Sequence, residues 1–260
     1  PVGFSVGADG RILNAFETMY MHCDEAFYGF GEKFTSFNKR GQKITVWQQD
    51  AQSTNSDVSY KGMPYFMSSE GYSVLMNTYT RTHFNMGASS GVSYTMETED
   101  PYLDYYMFCN RDYKGLIRDY TALSGRSAMI PRWAFGFWMS RMSYMSRQEV
   151  EEIVDHMAKF GMSVDVIHID GWLDTAQPDG GKELLCFDEE RFPDPEGMIQ
   201  SLREKGIHLS LWMFPYVHAV DRKGRFSSQF KIMNERGYLV KNQKGEPYLF
   251  SPGEGDAGNW

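Results

Sequence analysis

The sequence predicts an α+β chain in two parts: an all-β sandwich over residues 1–125, then three β/α units over 126–260. Three observations carry this reading. Short alternating runs, punctuated by Gly, Asn, Ser and Asp, fill the first half. From Pro131 onward, apolar runs of strand length alternate with helical patterns, which implies parallel pairing through right-handed crossovers. Asp170 and Trp212 stand at or near the ends of two of these later strands, and in parallel α/β folds the chemistry gathers at that edge.

In the first half, KITVWQQ (43–49), YSVLMNTYT (72–80), THFNMG (82–87), GVSYTMETE (91–99) and LDYYMFC (103–109) read as strands. Their regular spacing suggests a sandwich. RDYKGLIRDYTALSG (111–125) then changes to helical spacing, with Leu116, Ile117, Tyr120 and Leu123 apolar and Gly125 as the stop. In the second half the first strand is AFGFWMS (134–140). SRQE at Ser146 is a capping box, in which Ser146 caps a helix and Glu149 reaches back to it. VDVIHID (164–170) is the second strand. Asp194 as N-cap and Pro195 at the first helical position open the next helix. IHLSLWMFP (207–215) is the third strand, with Trp212 inside it. SSQFKIMNERGY (227–238) gives a further helix stopped by Gly237, and LVKNQKGEPYLF (239–250) a hairpin around Lys244–Gly245. Residues 251–260 carry no core pattern. Three β/α units cannot close an eight-stranded barrel, and a bare parallel sheet is prone to associate. The chain therefore reads as a fragment of a longer protein, a small open sheet being the alternative.

Bulk properties narrow the function. Hydrophobic residues make up 42% of the 260, enough for a core, and the mean hydropathy of -0.49 argues against a membrane protein. Gly206–Val220, the uncharged stretch at the third strand, is too short to span a bilayer, which takes about 20 residues. A net charge of -8 disfavours nucleic acid, whose phosphates call for Lys and Arg. Cys23, Cys109 and Cys186 are odd in number and widely spaced, which suits unpaired thiols in a reducing, cytoplasmic compartment. The chain begins with Pro rather than Met, which points to a true N-terminus further upstream. Aromatic residues reach 15%, as in proteins that pack rings against sugars, although an aromatic core explains most of them equally well.

Among individual residues, Asp170 ends an apolar strand, where a carboxylate can accept paired hydrogen bonds from sugar hydroxyls; its other role is to cap the next loop. Trp212 can wall a pocket or pack between strand and helix. Asp50 opens the polar loop DAQSTNSD and can reach toward a site or serve as a turn carboxylate. Other motifs fail. GASSG (87–91) matches G-x-S-x-G but runs into a strand pattern rather than a helix. FGEK lacks the third Gly of a dinucleotide loop. The six His residues show no HExxH spacing, and His168 on its apolar strand reads as a packed side chain. His218 sits in a loop without a readable role. No metal site and no cofactor are expected.

FYGFGEKF, VWQQD, YKGMPYFM, PRWAFGFWMSR, VIHID, RFPDPEGMI and LSLWMFPYV occur in this order. Together they resemble glycoside hydrolase family 31, which includes α-glucosidases and α-xylosidases; the resemblance is strongest to bacterial α-xylosidase-like members. It covers the chain from Phe27 to Tyr248. It implies an α+β multidomain protein. An N-terminal, galactose-mutarotase-like β-sandwich over 1–125 would precede the first three β/α units of a (β/α)8 TIM barrel over 126–260, the barrel being incomplete in this chain. It also implies a retaining mechanism with two aspartates, one attacking the anomeric carbon and one protonating the leaving oxygen. Both catalytic residues are expected after residue 260. By the same resemblance, Asp170 corresponds to a strand-two aspartate holding sugar hydroxyls and Trp212 to the aromatic lining that subsite. Asp50 corresponds to a sandwich-loop aspartate that reaches the pocket. Tyr144 follows the first strand, where some members place a pocket aromatic. The segment after His168-Ile169-Asp170 departs from the family pattern, so the pocket floor and the choice of sugar stay open.

The leading expectation is thus a piece of a bacterial, cytoplasmic retaining α-glycosidase acting on an α-linked oligosaccharide or glycoside, with a homo-oligomeric parent also allowed. The alternatives are a non-catalytic carbohydrate-binding or interaction protein and an α-glucan lyase of the same fold.

Overall fold

The computed structural model describes residues 1–49, 54, 56–141, 143–173, 186–213, 217, 219 and 228–249. Pro1–Ser127 and Ala128–Phe250 form two compact units. In the first, nine strands run in order: β1 (Val2–Val6), β2 (Ile12–Tyr20), β3 (Phe27–Gly31), β4 (Lys43–Val46), β5 (Gly62–Ser68), β6 (Tyr72–Met76), β7 (Thr82–Asn85), β8 (Ser93–Thr98) and β9 (Tyr105–Cys109). They pair into two antiparallel sheets, β1-β2-β8-β7-β4 and β3-β5-β6-β9.

Alternation assigns the faces. On β8, Tyr94, Met96 and Thr98 are buried while Ser93, Thr95 and Glu97 between them are half-buried. The inner faces meet through aromatic rings. Phe27 and Phe66 from one sheet touch Tyr94 of the other at 5.4 and 5.6 Å, and Phe30 touches Phe84 at 4.9 Å. Edge-on ring packing of this kind contributes beyond the area it buries. One carboxylate is buried here: Glu25 accepts from the Ser68 hydroxyl, from Tyr72 Oη at 2.7 Å and from the His22 amide at 3.0 Å. Those three donors make its burial tolerable.

Four strands lie outside the clean alternating runs, for physical reasons. β3 is FYGFG, and its pairing with β5 shifts register between Gly29 and Gly31. Phe30 there has a φ of 67° and is fully buried, so an irregularity turns a side chain into the core. Gly31, with φ 78°, lies so close to the facing strand that a Cβ would sit 2.0 Å from the Lys61 carbonyl. β5 carries Pro64, which removes a ladder donor and weakens the sequence signal. β1 is an edge strand exposed along most of its length. β2 mixes polar and apolar residues without strict period.

Helix α1 (Tyr113–Ser124) closes the first unit. The Asp112 carboxylate caps it by accepting from the Gly115 amide at 2.7 Å. Leu116 is buried, Tyr120 stacks on Tyr65 at 4.3 Å, and Gly125 ends the helix at φ 103°.

In the second unit a 3-10 turn (Arg132–Phe135) precedes β10 (Trp138–Ser140), α2 (Arg147–Lys159), β11 (Val166–Ile169), α3 (Pro195–Glu204), β12 (His208–Leu211) and α4 (Ser228–Glu235). The strands are parallel in the order β10-β11-β12. The first strand starts later than its apolar run suggests, because Ala134 and Phe135 belong to the turn. Asp165 accepts from the Phe137 amide at 2.8 Å and fills the space beside Gly136, where a Cβ would lie 2.2 Å from its carboxyl. The third strand is shorter than predicted, and Trp212 lies one residue past it rather than inside it. Ser146 caps α2 by accepting from the Glu149 amide at 3.2 Å. Glu149 reaches back one residue further than a capping box requires, to the Met145 amide at 2.6 Å, and pairs with Arg141. Asp194 caps α3 in a left-handed conformation, accepting from the Gly197 amide at 3.1 Å. Arg147 holds it there by donating to the carbonyls of Pro193 and Asp194 at 3.0 and 2.9 Å. The tip after α4 is a hairpin with Lys241 opposite Pro247 and Gly245 at φ 80°.

The helices cover one face of the parallel sheet. Ile167 and Ile169 of β11 are buried against Val150 and Val154 of α2 and Met198 and Leu202 of α3, with Met139, Leu209 and Leu211 alongside.

Candidate functional site

Strand register fixes what faces the other way. Met139, Ile167 and Leu209 are paired across the three strands and belong to the helix-covered layer. The next row, Ser140, His168 and Ser210, is paired in the same manner and therefore sits on the opposite face. Asp170 and Trp212 follow two residues after His168 and Ser210, at the carboxyl edge. The Trp212 amide donates to the Ile169 carbonyl at 3.0 Å, so the parallel ladder continues one bond beyond β12.

Within this group, His168 Nδ1 lies 3.0 Å from Ser210 Oγ, and its Nε2 lies 2.9 Å from Asp170 Oδ1. The Asp170 side chain keeps 41% of its surface exposed and Trp212 keeps 44%. A carboxylate and an indole, both accessible and following neighbouring strands at one sheet edge, are groups suited to a sugar. The carboxylate accepts from hydroxyls, and the ring packs on the apolar face of a pyranose.

The segment after β11 is tied down from below. Trp172 is buried, its Nε1 donates to the Trp212 carbonyl at 2.6 Å, and its ring packs on Phe187 at 5.0 Å. Its own carbonyl accepts from the Asp188 amide at 3.0 Å. Arg191 Nε donates to Asp188 Oδ2 at 2.8 Å, which holds the Asp188 carboxyl below the usual carboxylate range, while Arg191 Nη2 reaches the Leu173 carbonyl at 3.2 Å.

The sequence-predicted residues fall in different places. Asp170 directly follows β11 and Trp212 directly follows the neighbouring β12. Asp50 and His218 lie outside the described residues. Tyr144 does not join the group: it is fully buried in the helix-side layer, with its hydroxyl 3.5 Å from the Met139 carbonyl, and burial pushes that hydroxyl's pKa up. An aromatic beside an apolar helix face is drawn inward, and Tyr144 follows that pull. His168 and Ser210 make polar contacts that the sequence reading did not assign. The i, i+2 spacing of His168 and Asp170 was the available signal, since it would put both on one face if the strand ran on. Among the described residues, no group of three or more His, Cys, Asp or Glu could hold a metal, and no helix is long and apolar enough to cross a membrane.

The chain is similar to known proteins over most of its length. Residues 127–259 match the Glycosyl hydrolases family 31 TIM-barrel domain, and residues 14–85 the Glycosyl hydrolase 31 N-terminal galactose mutarotase-like domain. The chain is 32% identical to alpha-xylosidase XylQ of Lactiplantibacillus pentosus, over 92% of this chain and 30% of that protein. It is 33% identical to alpha-glucosidase 2 of Bacillus thermoamyloliquefaciens, over 87% and 28%. The solved Flavobacterium johnsoniae GH31 dextranase complexed with glucose aligns with a TM-score of 0.80 at 27% identity, over 96% of this chain and 32% of that one. The chain thus spans about a third of the length of these relatives.

Proposed function

Because the chain belongs to glycoside hydrolase family 31, with a β-sandwich followed by part of a (β/α)8 barrel, we propose that its full-length protein is a retaining α-glycosidase. It cleaves an α-glucoside or α-xyloside by double displacement. In this reading residues 1–125 are the sandwich domain and 126–260 the barrel segment. Two aspartates beyond residue 260 act as nucleophile and acid, set about 5–5.5 Å apart as retention requires. This chain supplies the grip on the sugar. Asp170 accepts from ring hydroxyls and Trp212 walls the same subsite, with Asp50 a third candidate for binding the sugar. The observation that carries the proposal is that Asp170 and Trp212 directly follow the neighbouring parallel strands β11 and β12 at their carboxyl edge. The three free cysteines favour a reducing cytoplasm, and the bacterial relatives a bacterial enzyme.

The test is hydrolysis of p-nitrophenyl α-glucoside and α-xyloside by the full-length protein, with the first-formed anomer read by proton NMR. Release of the α-anomer is the expected result. A β-anomer first product, or no turnover of either glycoside, overturns the proposal.

A further inference from the structure

We propose that His168 is the positioning residue for Asp170, carrying a proton on Nε2 that fixes one carboxylate oxygen while Ser210 holds the ring from behind. The role assigned to Asp170 rests on the reading above; the His168 contact does not.

The geometry supplies three arguments. First, Nε2 lies 2.9 Å from Asp170 Oδ1. An unprotonated ring nitrogen there would set two acceptors face to face, so the proton belongs on Nε2. Second, Nδ1 lies 3.0 Å from Ser210 Oγ on the neighbouring strand. The hydroxyl can donate to Nδ1, which selects the Nε2–H tautomer, as a second hydrogen bond on an imidazole does elsewhere. Third, His168 and Ser210 sit opposite each other on paired strands. The ring is thus anchored to two strands rather than to a loop, and only 26% of its side-chain surface is exposed. Asp170 itself lies just past the end of β11, where backbone pairing no longer orders it. A carboxylate fixed through Oδ1 keeps Oδ2 for a sugar hydroxyl and meets the substrate in one orientation. Orientation of that kind raises the rate when the contact tightens in the transition state.

The experiment combines two readouts on the full-length protein. Long-range proton–nitrogen NMR with 15N-histidine reads the His168 ring, assigned by its loss in His168→Gln. The expected spectrum shows Nε2 protonated, with its shift altered in both Asp170→Asn and Ser210→Ala. A ring unprotonated at Nε2, or one indifferent to both substitutions, overturns the proposal whether or not the protein cleaves glycosides. The second readout is kinetic. His168→Leu is expected to lower kcat about 10–100-fold with KM changed less than threefold, the usual scale for losing an orienting partner. His168→Gln, which returns a donor near the Nε2 position, recovers most of that loss, and Ser210→Ala gives a smaller fall of the same kind. A loss in His168→Leu that tracks its melting temperature and is not recovered by His168→Gln marks a packing histidine and overturns the proposal. Absence of glycosidase activity in the wild-type protein refutes the proposed function and leaves the NMR result to decide on His168.

Discussion

The indole Nε1 of Trp172 donates to the backbone carbonyl of Trp212 across a 2.6 Å gap, joining the loop after β11 to the end of β12. Asp170 lies two residues before the donor, and the exposed indole of Trp212 belongs to the acceptor residue itself. One buried side chain thus ties the segment that follows Asp170 to the backbone of Trp212.

Replacing Trp172 by Phe keeps an aromatic filler but removes the donor. We expect a stability loss of about 1–2 kcal/mol from the unsatisfied carbonyl and the lost volume. A several-fold rise in KM should accompany it as Trp212 loosens. Thermal melts and steady-state kinetics on the full-length variant check both; an unchanged KM with a lowered Tm would reduce Trp172 to a core residue.

Asp188 and Arg191 anchor the return of that loop, and their contact has a pH signature. The guanidinium hydrogen bond holds the folded Asp188 carboxyl below its ordinary value of 3.8. The unfolded chain therefore takes up that proton first as acid is added. The stabilisation is complete above the ordinary carboxylate range and is lost as pH falls through the lower, folded value. Asp188→Asn should be less stable than wild type at neutral pH, with the gap narrowing below about pH 4. Melts from pH 7 to pH 3 test this, and a gap that stays constant across the range rules it out.

Much of this arrangement was legible in the sequence, wherever local chemistry and burial pointed the same way. VIHID reads as a strand because Val166, Ile167 and Ile169 are all buried in it. Asp194-Pro195 reads as a helix start because its carboxylate meets the Gly197 amide. The departures have tertiary causes. The run from Ala134 begins in a 3-10 turn, because Asp165, distant in sequence, occupies the space beside Gly136. β3 escapes notice because positive φ at Gly29, Phe30 and Gly31 breaks its alternation. Tyr144 invited a pocket role by its place after a strand, and only packing against the helix layer shows it turned inward. His168 looked like a core histidine because its neighbours are apolar. Its partner Ser210 comes from another strand, and no reading of VIHID alone supplies it.

The 260-residue chain alone should give no glycosidase turnover. Of the three parallel strands among the described residues, β10 ends at Ser140, β12 ends next to Trp212, and β11 alone is followed directly by a carboxylate, Asp170. A retaining mechanism needs two carboxylates, and both are proposed to lie beyond residue 260. Assays of the purified chain with p-nitrophenyl α-glucoside and α-xyloside check this. Activity well above buffer would place the catalytic pair within these residues.

In the full-length protein, Asp170→Ala should impair catalysis far more than folding. The carboxylate stands at an accessible strand edge, with 41% of its side chain exposed, so its removal leaves no large cavity. If its bonds to the sugar strengthen as the ring flattens toward an oxocarbenium ion, their loss lowers kcat as well as affinity. The analogy with other charge-directed contacts gives about 2–4 kcal/mol of lost transition-state stabilisation, or roughly 30- to 1000-fold in kcat/KM. The competing role is a loop cap, whose removal costs about 1 kcal/mol of stability and leaves turnover intact. The two roles separate when kcat/KM and Tm are measured on the same variant. A large fall in kcat/KM at nearly constant Tm assigns Asp170 to the substrate. A near-normal kcat/KM with a lowered Tm assigns it to the loop, and the sugar-holding role then has to be sought in residues other than the strand-end carboxylate.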